Sequence, residues 1–293
     1  MPDIITTHPG QVPATAADMA DIYRQYADAY AATERSGGSS ISVRNGVMSI
    51  GDQPVPGNQF AAVILDAVRL NTFYRNAFNP AAIEAPTCYA VGRSDPEMSP
   101  HPDMAKDPTY FQPQADRCGA CPHNEFGSGR TGTGKACTNR RRLLLLPAGH
   151  YQQGPNGFVL QPIQDTNHYS ESPFLTLNLA PTTLASYGAW IRDTAANYQR
   201  PMFGVIARVF LYQHPKHGKE AIGFETLAPT PDEWGPIIFK RHQQATTEIM
   251  EGYEVPDAST QQHNHQQRGG GFQQQQQQQQ QQYIAPGQPG YGA

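Results

Sequence analysis

The chain has no apolar run near the roughly 18 residues that a membrane helix needs, so no segment is expected to cross a bilayer. Its first residues, MPDIITTHPGQVPATAADM, lack a basic stretch followed by an apolar one. No secretory signal is therefore expected, and the expected compartment is the cytoplasm. Charge is sparse, at 16% of residues, with a formal net charge of −4. Such a chain can attract nucleic acid only through a local patch. The acids Asp66, Asp95, Glu97, Asp103, Asp107, Asp165, Glu171 and Asp193 are scattered and form no motif for holding catalytic magnesium. Cysteine is scarce too, with four in the chain. In a reducing compartment an even number of cysteines argues for metal or catalysis before disulfides.

What is present suffices for one large domain. Of 293 residues, 38% are hydrophobic, while 26 prolines and 27 glycines imply many turns. Residues 14–33 are Ala-rich with periodic Met19, Ile22, Tyr23 and Tyr26, and read as an amphipathic helix. Asn45-Gly46 sits between two short alternating runs, a strong hairpin signal. The apolar stretch Phe60–Tyr74 reads as a long central strand, with a buried helix as the alternative. Residues 79–142 carry almost no periodicity before the strand-like run Leu143–Leu146, and residues 147–172 read as turn-rich. Phe174–Leu179 reads as a strand, and Pro181 opens a helix through Tyr198. Two further strands, Phe203–Tyr212 and Ala221–Leu227, precede a helix from Asp232 to about Tyr253. From Val255 onward the composition changes, with ten consecutive glutamines at 273–282. Such a tail has too little apolar surface to offset ordering, so disorder is expected over 255–293. The expected fold class is α+β over 1–254, mostly antiparallel, with flanking helices and a stapled insertion at about 86–142.

The cysteines are spaced Cys88-x29-Cys118-x2-Cys121-x15-Cys137. A C-x2-C turn lets two thiolates grip one ion, and a thiolate from each side completes a tetrahedron. Structural zinc is the expected ligand, although an iron–sulfur cluster also takes four cysteines. His101 and His123 are alternative ligands, and a redox role for CGAC lacks a βαβ setting. Between the last two cysteines, Gly129 to Lys135 matches a phosphate-binding loop. Ala136, however, stands where Ser or Thr would bind magnesium, and no hydrophobic strand precedes it.

The same interval is basic. Arg117, Arg130, Lys135, Arg140, Arg141 and Arg142 face only Glu125, a local balance of +5. A zinc with four thiolates would contribute −2. Cations neutralise phosphates, the glycines at 127–134 allow close approach, and Phe126, Tyr74 and Tyr89 are candidates for stacking on bases. The bland alternatives are solvated arginines entering a strand and aromatics packed in a core.

Pro86-Thr-Cys88, Cys118-x-x-Cys121-Pro122-x-Asn124-x-Phe126-Gly127-Ser128 and Gly134-Lys135-Ala136-Cys137-x-x-Arg140-Arg141-x-Leu143 together resemble the zinc-bearing segment of a family of bacteriophage single-stranded DNA-binding proteins. The resemblance implies a β-rich, OB-like domain with a zinc insertion, acting in phage DNA replication or recombination. It carries over the four metal ligands and names no DNA-contacting residue. The tail is similar to the linker of bacterial single-strand-binding proteins but lacks their acidic tip, so recruitment of replication or recombination proteins through it stays an open expectation. The expected function is non-catalytic binding of single-stranded DNA. Two alternatives are a zinc-loop interaction or transcription module and a nuclease with a four-cysteine staple.

Overall fold

The computed structural model describes residues 40–77, 84–215 and 218–253. The helix expected at 14–33 and the tail at 255–293 lie outside the described residues. The rest is α+β, a mostly antiparallel open sheet of ten strands with three helices. No helix among the described residues is long and apolar enough to cross a membrane.

The chain enters through strands β1 (Ser40–Arg44) and β2 (Val47–Ile50). Asn45 and Gly46 join them with φ of 51° and 76°. Both central residues are left-handed, as a tight hairpin turn demands. A two-residue strand, β3 (Gln53–Pro54), precedes the long central strand β4 (Gln59–Phe73). Next come β5 (Cys88–Gly92), β6 (Thr138–Gly154), β7 (Gly157–Pro162) and the short helix α1 (Thr166–Glu171). Strand β8 (Leu175–Leu179), helix α2 (Leu184–Tyr198), strands β9 (Val205–Gln213) and β10 (Glu220–Pro229), and helix α3 (Gly235–Glu248) complete the order.

The strand path runs β10-β9-β4-β6-β8-β1-β2-β3, with β5 added to β4 and β7 to β6. An open path takes the place of the five-stranded barrel that an OB-like core would form. Two sequence readings are corrected. Residues 79–142 contain a strand, β5, too short to show a period. The stretch after Leu146 continues as strand through Pro147 and turns back as β7.

The β4–β6 ribbon is the centre, paired from Phe60–His150 to Thr72–Thr138. Strand β4 shares its other edge between two partners: Gln59–Ala62 with β9 and Arg69–Phe73 with β5. Backbone groups in the gap find other partners, as buried groups must. Leu65 O meets His242 Nδ1 of α3 at 2.9 Å, and Ala67 N–H donates to Asp66 Oδ1 at 2.9 Å.

Each sheet face carries its own core. Ala61, Val63, Leu65, Leu144 and Leu146 pack with Tyr169, Trp234 and Ile238 beneath α1 and α3. Phe60, Ala62, Ile64, Leu143 and Leu145 pack with Tyr187 and Trp190 of α2. A bulge between Ile64 and Asp66 then reverses the alternation. Beyond it Val68 and Leu70 join the α3 face. Ala67, Arg69 and Asn71 are therefore turned to the face of α2, because strand side chains alternate.

Candidate metal site and basic groove

The end of β4 organises the cysteines. Phe73 pairs with Cys88 on β5, and its neighbour Thr72 pairs with Thr138 on β6, next to Cys137. Cys118 opens a single 3-10 turn, Cys118–Ala120, that hands on to Cys121. Cys118 N–H donates to Met98 O at 2.9 Å, and Cys137 N–H donates to His123 O at 2.7 Å. Asn124 closes the turn, its Nδ2 donating to Cys118 O at 2.9 Å. All four cysteines border one cavity of about 20 Å³.

None of the four is in a disulfide. Among the described residues, no three Cys, His, Asp or Glu side chains are gathered closely enough to clasp an ion as they stand. The thiols border a common space without closing on a common centre. Burial, reinforced by the neighbouring sulfurs, pushes the Cys137 thiol up to about 12. Burial also raises Cys88 and Cys118; hydrogen bonds from the Gln114 backbone N–H and the Asn71 side chain work the other way. Those donors favour thiolate over thiol. Both histidines are engaged elsewhere. His101 Nε2 meets Met250 O at 2.9 Å, and the His123 ring stacks on Phe73 at 4.1 Å.

The glycine-rich loop is folded onto itself. Gly127 and Gly129 N–H both donate to Gly134 O, at 2.7 and 3.3 Å. Gly127 and Gly134 have φ of 93° and 70°, which explains glycine there. Those N–H groups face inward, and a strand follows the loop where a phosphate-binding loop would open a helix.

Beside this knuckle lies a groove of about 880 Å³. Strands β4 and β6 supply its floor with Arg69, Asn71, Asn139 and Arg141. The knuckle supplies one wall through Cys118, Gly119, Asn124 and Lys135. Helix α2 supplies the other through Leu184, Tyr187, Gly188, Ile191 and Arg192. A chain of hydrogen bonds ties floor to knuckle. Asn139 Nδ2 donates to Asn71 Oδ1 at 2.6 Å and to Asn124 Oδ1 at 3.0 Å, and Lys135 Nζ donates to the same Asn124 Oδ1 at 3.2 Å.

Six cations border the groove, of which Arg140, opposite Leu70, turns its side chain to the α3 face, and Asp95 is the single carboxylate among its lining residues. Asp95 pairs with Arg69, and Arg93 grips the 4%-exposed Asp66 at 3.1 and 2.7 Å. Among the described residues, Lys135, Arg140, Arg141 and Arg192 carry no carboxylate partner.

Of the residues singled out in the sequence, Lys135 and Arg141 come together in this groove, whereas Arg140 lies at its border opposite Leu70, with its side chain on the α3 face beside Tyr74. Phe126 stands 84% exposed on the knuckle, with Lys135 Nζ 5.1 Å from its ring centre. Arg130 reaches away, its Nη2 donating to Arg75 O at 2.6 Å. Tyr74 is 37% exposed, and burial raises its phenol beside Tyr253 and Arg140.

Two expectations are overturned. Tyr89 is 1% exposed and packs between His101, Phe111 and Tyr253, so it cannot stack on a base. Arg142 follows Leu144 and Leu146 onto the α3 face, where its Nη1 donates to Ile249 O at 3.3 Å and Glu251 O at 2.6 Å. Sequence reading missed Arg69, Arg93 and Arg192. Only the bulge parity of β4 could have placed Arg69, and nothing local marks the other two.

Compared with known protein families, curated proteins and solved structures, the chain matches none.

Proposed function

We propose that the protein binds single-stranded DNA in the groove between the cysteine knuckle and α2, without catalysing a reaction on it. The observation that carries this reading is the groove's charge. Five cations on the groove face against one carboxylate is a concentrated patch in a chain of net −4, and cations that line a groove release counterions when phosphates replace them. Phe126, at the knuckle beside Lys135, offers a ring on which a base can stack. Asp95, the one carboxylate lining the groove, is tied to Arg69, and Asp66, outside its lining, is gripped by Arg93. A role in phage replication or recombination follows from the resemblance of the cysteine segment.

Within this reading Cys88, Cys118, Cys121 and Cys137 would hold a structural zinc ion. What supports this is the chemistry of the donor set, four sulfurs bordering one space with N–H donors aimed at two of them; the thiolates would have to draw together to clasp the ion. A bound ion would fold the turn at 118–121 against β5 and β6 and take no part in a reaction. Through Asn124 and Asn139 the same turn holds Lys135 at the groove.

The test is fluorescence anisotropy with labelled oligo-dT and with duplex, across a salt series and with magnesium. Submicromolar, salt-sensitive binding to single strands without cleavage is expected. Magnesium-dependent degradation would instead point to a nuclease. No binding at low salt would leave the knuckle as a protein-docking module.

A further inference from the structure

Helix α2 presents Leu184, Gly188 and Ile191 to the groove, at i, i+4 and i+7 along one stripe. A glycine inside a helix lowers stability relative to alanine, because the unfolded chain has more freedom to lose. The chain itself gives no packing reason for it. A methyl group at Gly188 would meet only Arg192 Nη1, at an ordinary 3.5 Å. No special backbone conformation requires it either, since Gly188 is absent from the positive-φ positions of the described residues. Between two branched side chains the glycine leaves a patch of helix backbone facing the groove, reached within the chain only by the end of the flexible Arg192 side chain.

The groove is thus two-sided in chemistry. Its α2 wall is largely apolar, while on its floor Arg69 and Arg141 sit opposite one another in register. A single strand has the same division, with exposed base faces on one side and phosphates on the other. A duplex buries its bases and presents phosphates outward, so it matches only the floor.

We propose that Gly188 is a base-contact position: a nucleobase of a bound single strand lies flat on the α2 backbone between Leu184 and Ile191, while Arg141 holds its phosphate. This rests on the single-strand reading above and adds the position at which bases are engaged.

The experiment is the substitution Gly188→Ala, compared with wild type on labelled oligo-dT, on an abasic oligonucleotide of equal length, and in a thermal melt. Alanine is the better helix former, so the melting temperature should rise by about 2 °C. Affinity for oligo-dT should fall about tenfold, the scale of one lost stacking contact. Affinity for the abasic strand should stay at the wild-type value. An unchanged oligo-dT affinity would overturn the inference and leave the single-strand reading standing. Equal losses on both oligonucleotides would also overturn it, since the methyl group would then be obstructing the backbone. A lower melting temperature would show that the glycine serves the fold. Should wild type bind neither oligonucleotide at low salt, the single-strand reading itself fails and the inference falls with it.

Discussion

Arg69 and Arg141 face one another across β4 and β6, two cations in directly opposed positions. Burial, and then the neighbouring Arg69, hold the Arg141 guanidinium below its ordinary value. Asp95 is tied to Arg69, leaving Arg141 without a carboxylate partner among the described residues. Like charges placed opposite in a sheet cost about 0.2–1 kcal/mol. Replacing Arg141 by Gln should therefore stabilise the free protein, by about 0.5 kcal/mol in a urea titration. The same change should weaken oligo-dT binding about tenfold, the scale of one charge-assisted hydrogen bond. It should also flatten the plot of log affinity against log salt by about 0.7, one phosphate's share on a single strand. Anisotropy over a salt series reads both quantities. An unchanged slope and affinity would route the DNA away from Arg141. A loss of stability beyond 1 kcal/mol would make Arg141 a structural residue and refute the reasoning about repulsion.

Arg142→Ala should behave in the opposite way. It leaves the carbonyls of Ile249 and Glu251 without a charged donor, costing about 1.5–3 kcal/mol of stability, and should leave the salt slope of DNA binding unchanged. Cys118→Ser should abolish stoichiometric zinc in a metal analysis, and amide exchange should quicken across 88–137. Wild-type protein devoid of zinc and iron would refute the metal site. Asp66→Ala removes both hydrogen bonds to Arg93 and the acceptor for Ala67 N–H. Because the Arg93 side chain is 51% exposed and regains water, the expected loss is about 2 kcal/mol, below the 3–5 for a fully buried partner. A loss under 0.5 kcal/mol by urea denaturation would show that the bulge holds without its carboxylate.

The fold was legible where local chemistry decides it. Asn45-Gly46 dictates its turn by backbone sterics, and the apolar run of β4 is buried on both faces. Strand β5 was hidden because CYAVG is too short to show a period and sits among prolines and loops. Strand β6 was cut short because Pro147 reads as a terminator. In the structure Pro147 lies at a register irregularity, opposite Ala62 with Ala148 as the extra residue, a place where a strand tolerates proline. The cysteine spacing and the arginine run marked half of the groove. The other half comes from α2, whose Gly188 and Arg192 carry no signal until the sheet sets them opposite Arg69 and Arg141. Arg142 was misplaced for a simpler reason: strand alternation sends neighbouring arginines to opposite faces.

The divided edge of β4 also has a consequence for how the chain is made. Phe60 must wait for Val209 before its edge is paired. At ribosomal rates the intervening chain takes on the order of ten seconds to emerge. Until then, this long apolar strand presents an open edge beside β5. Folding should accordingly be slow and limited by this distant closure. Nascent chains truncated before β9 should aggregate or bind chaperones, while those that include β9 should not.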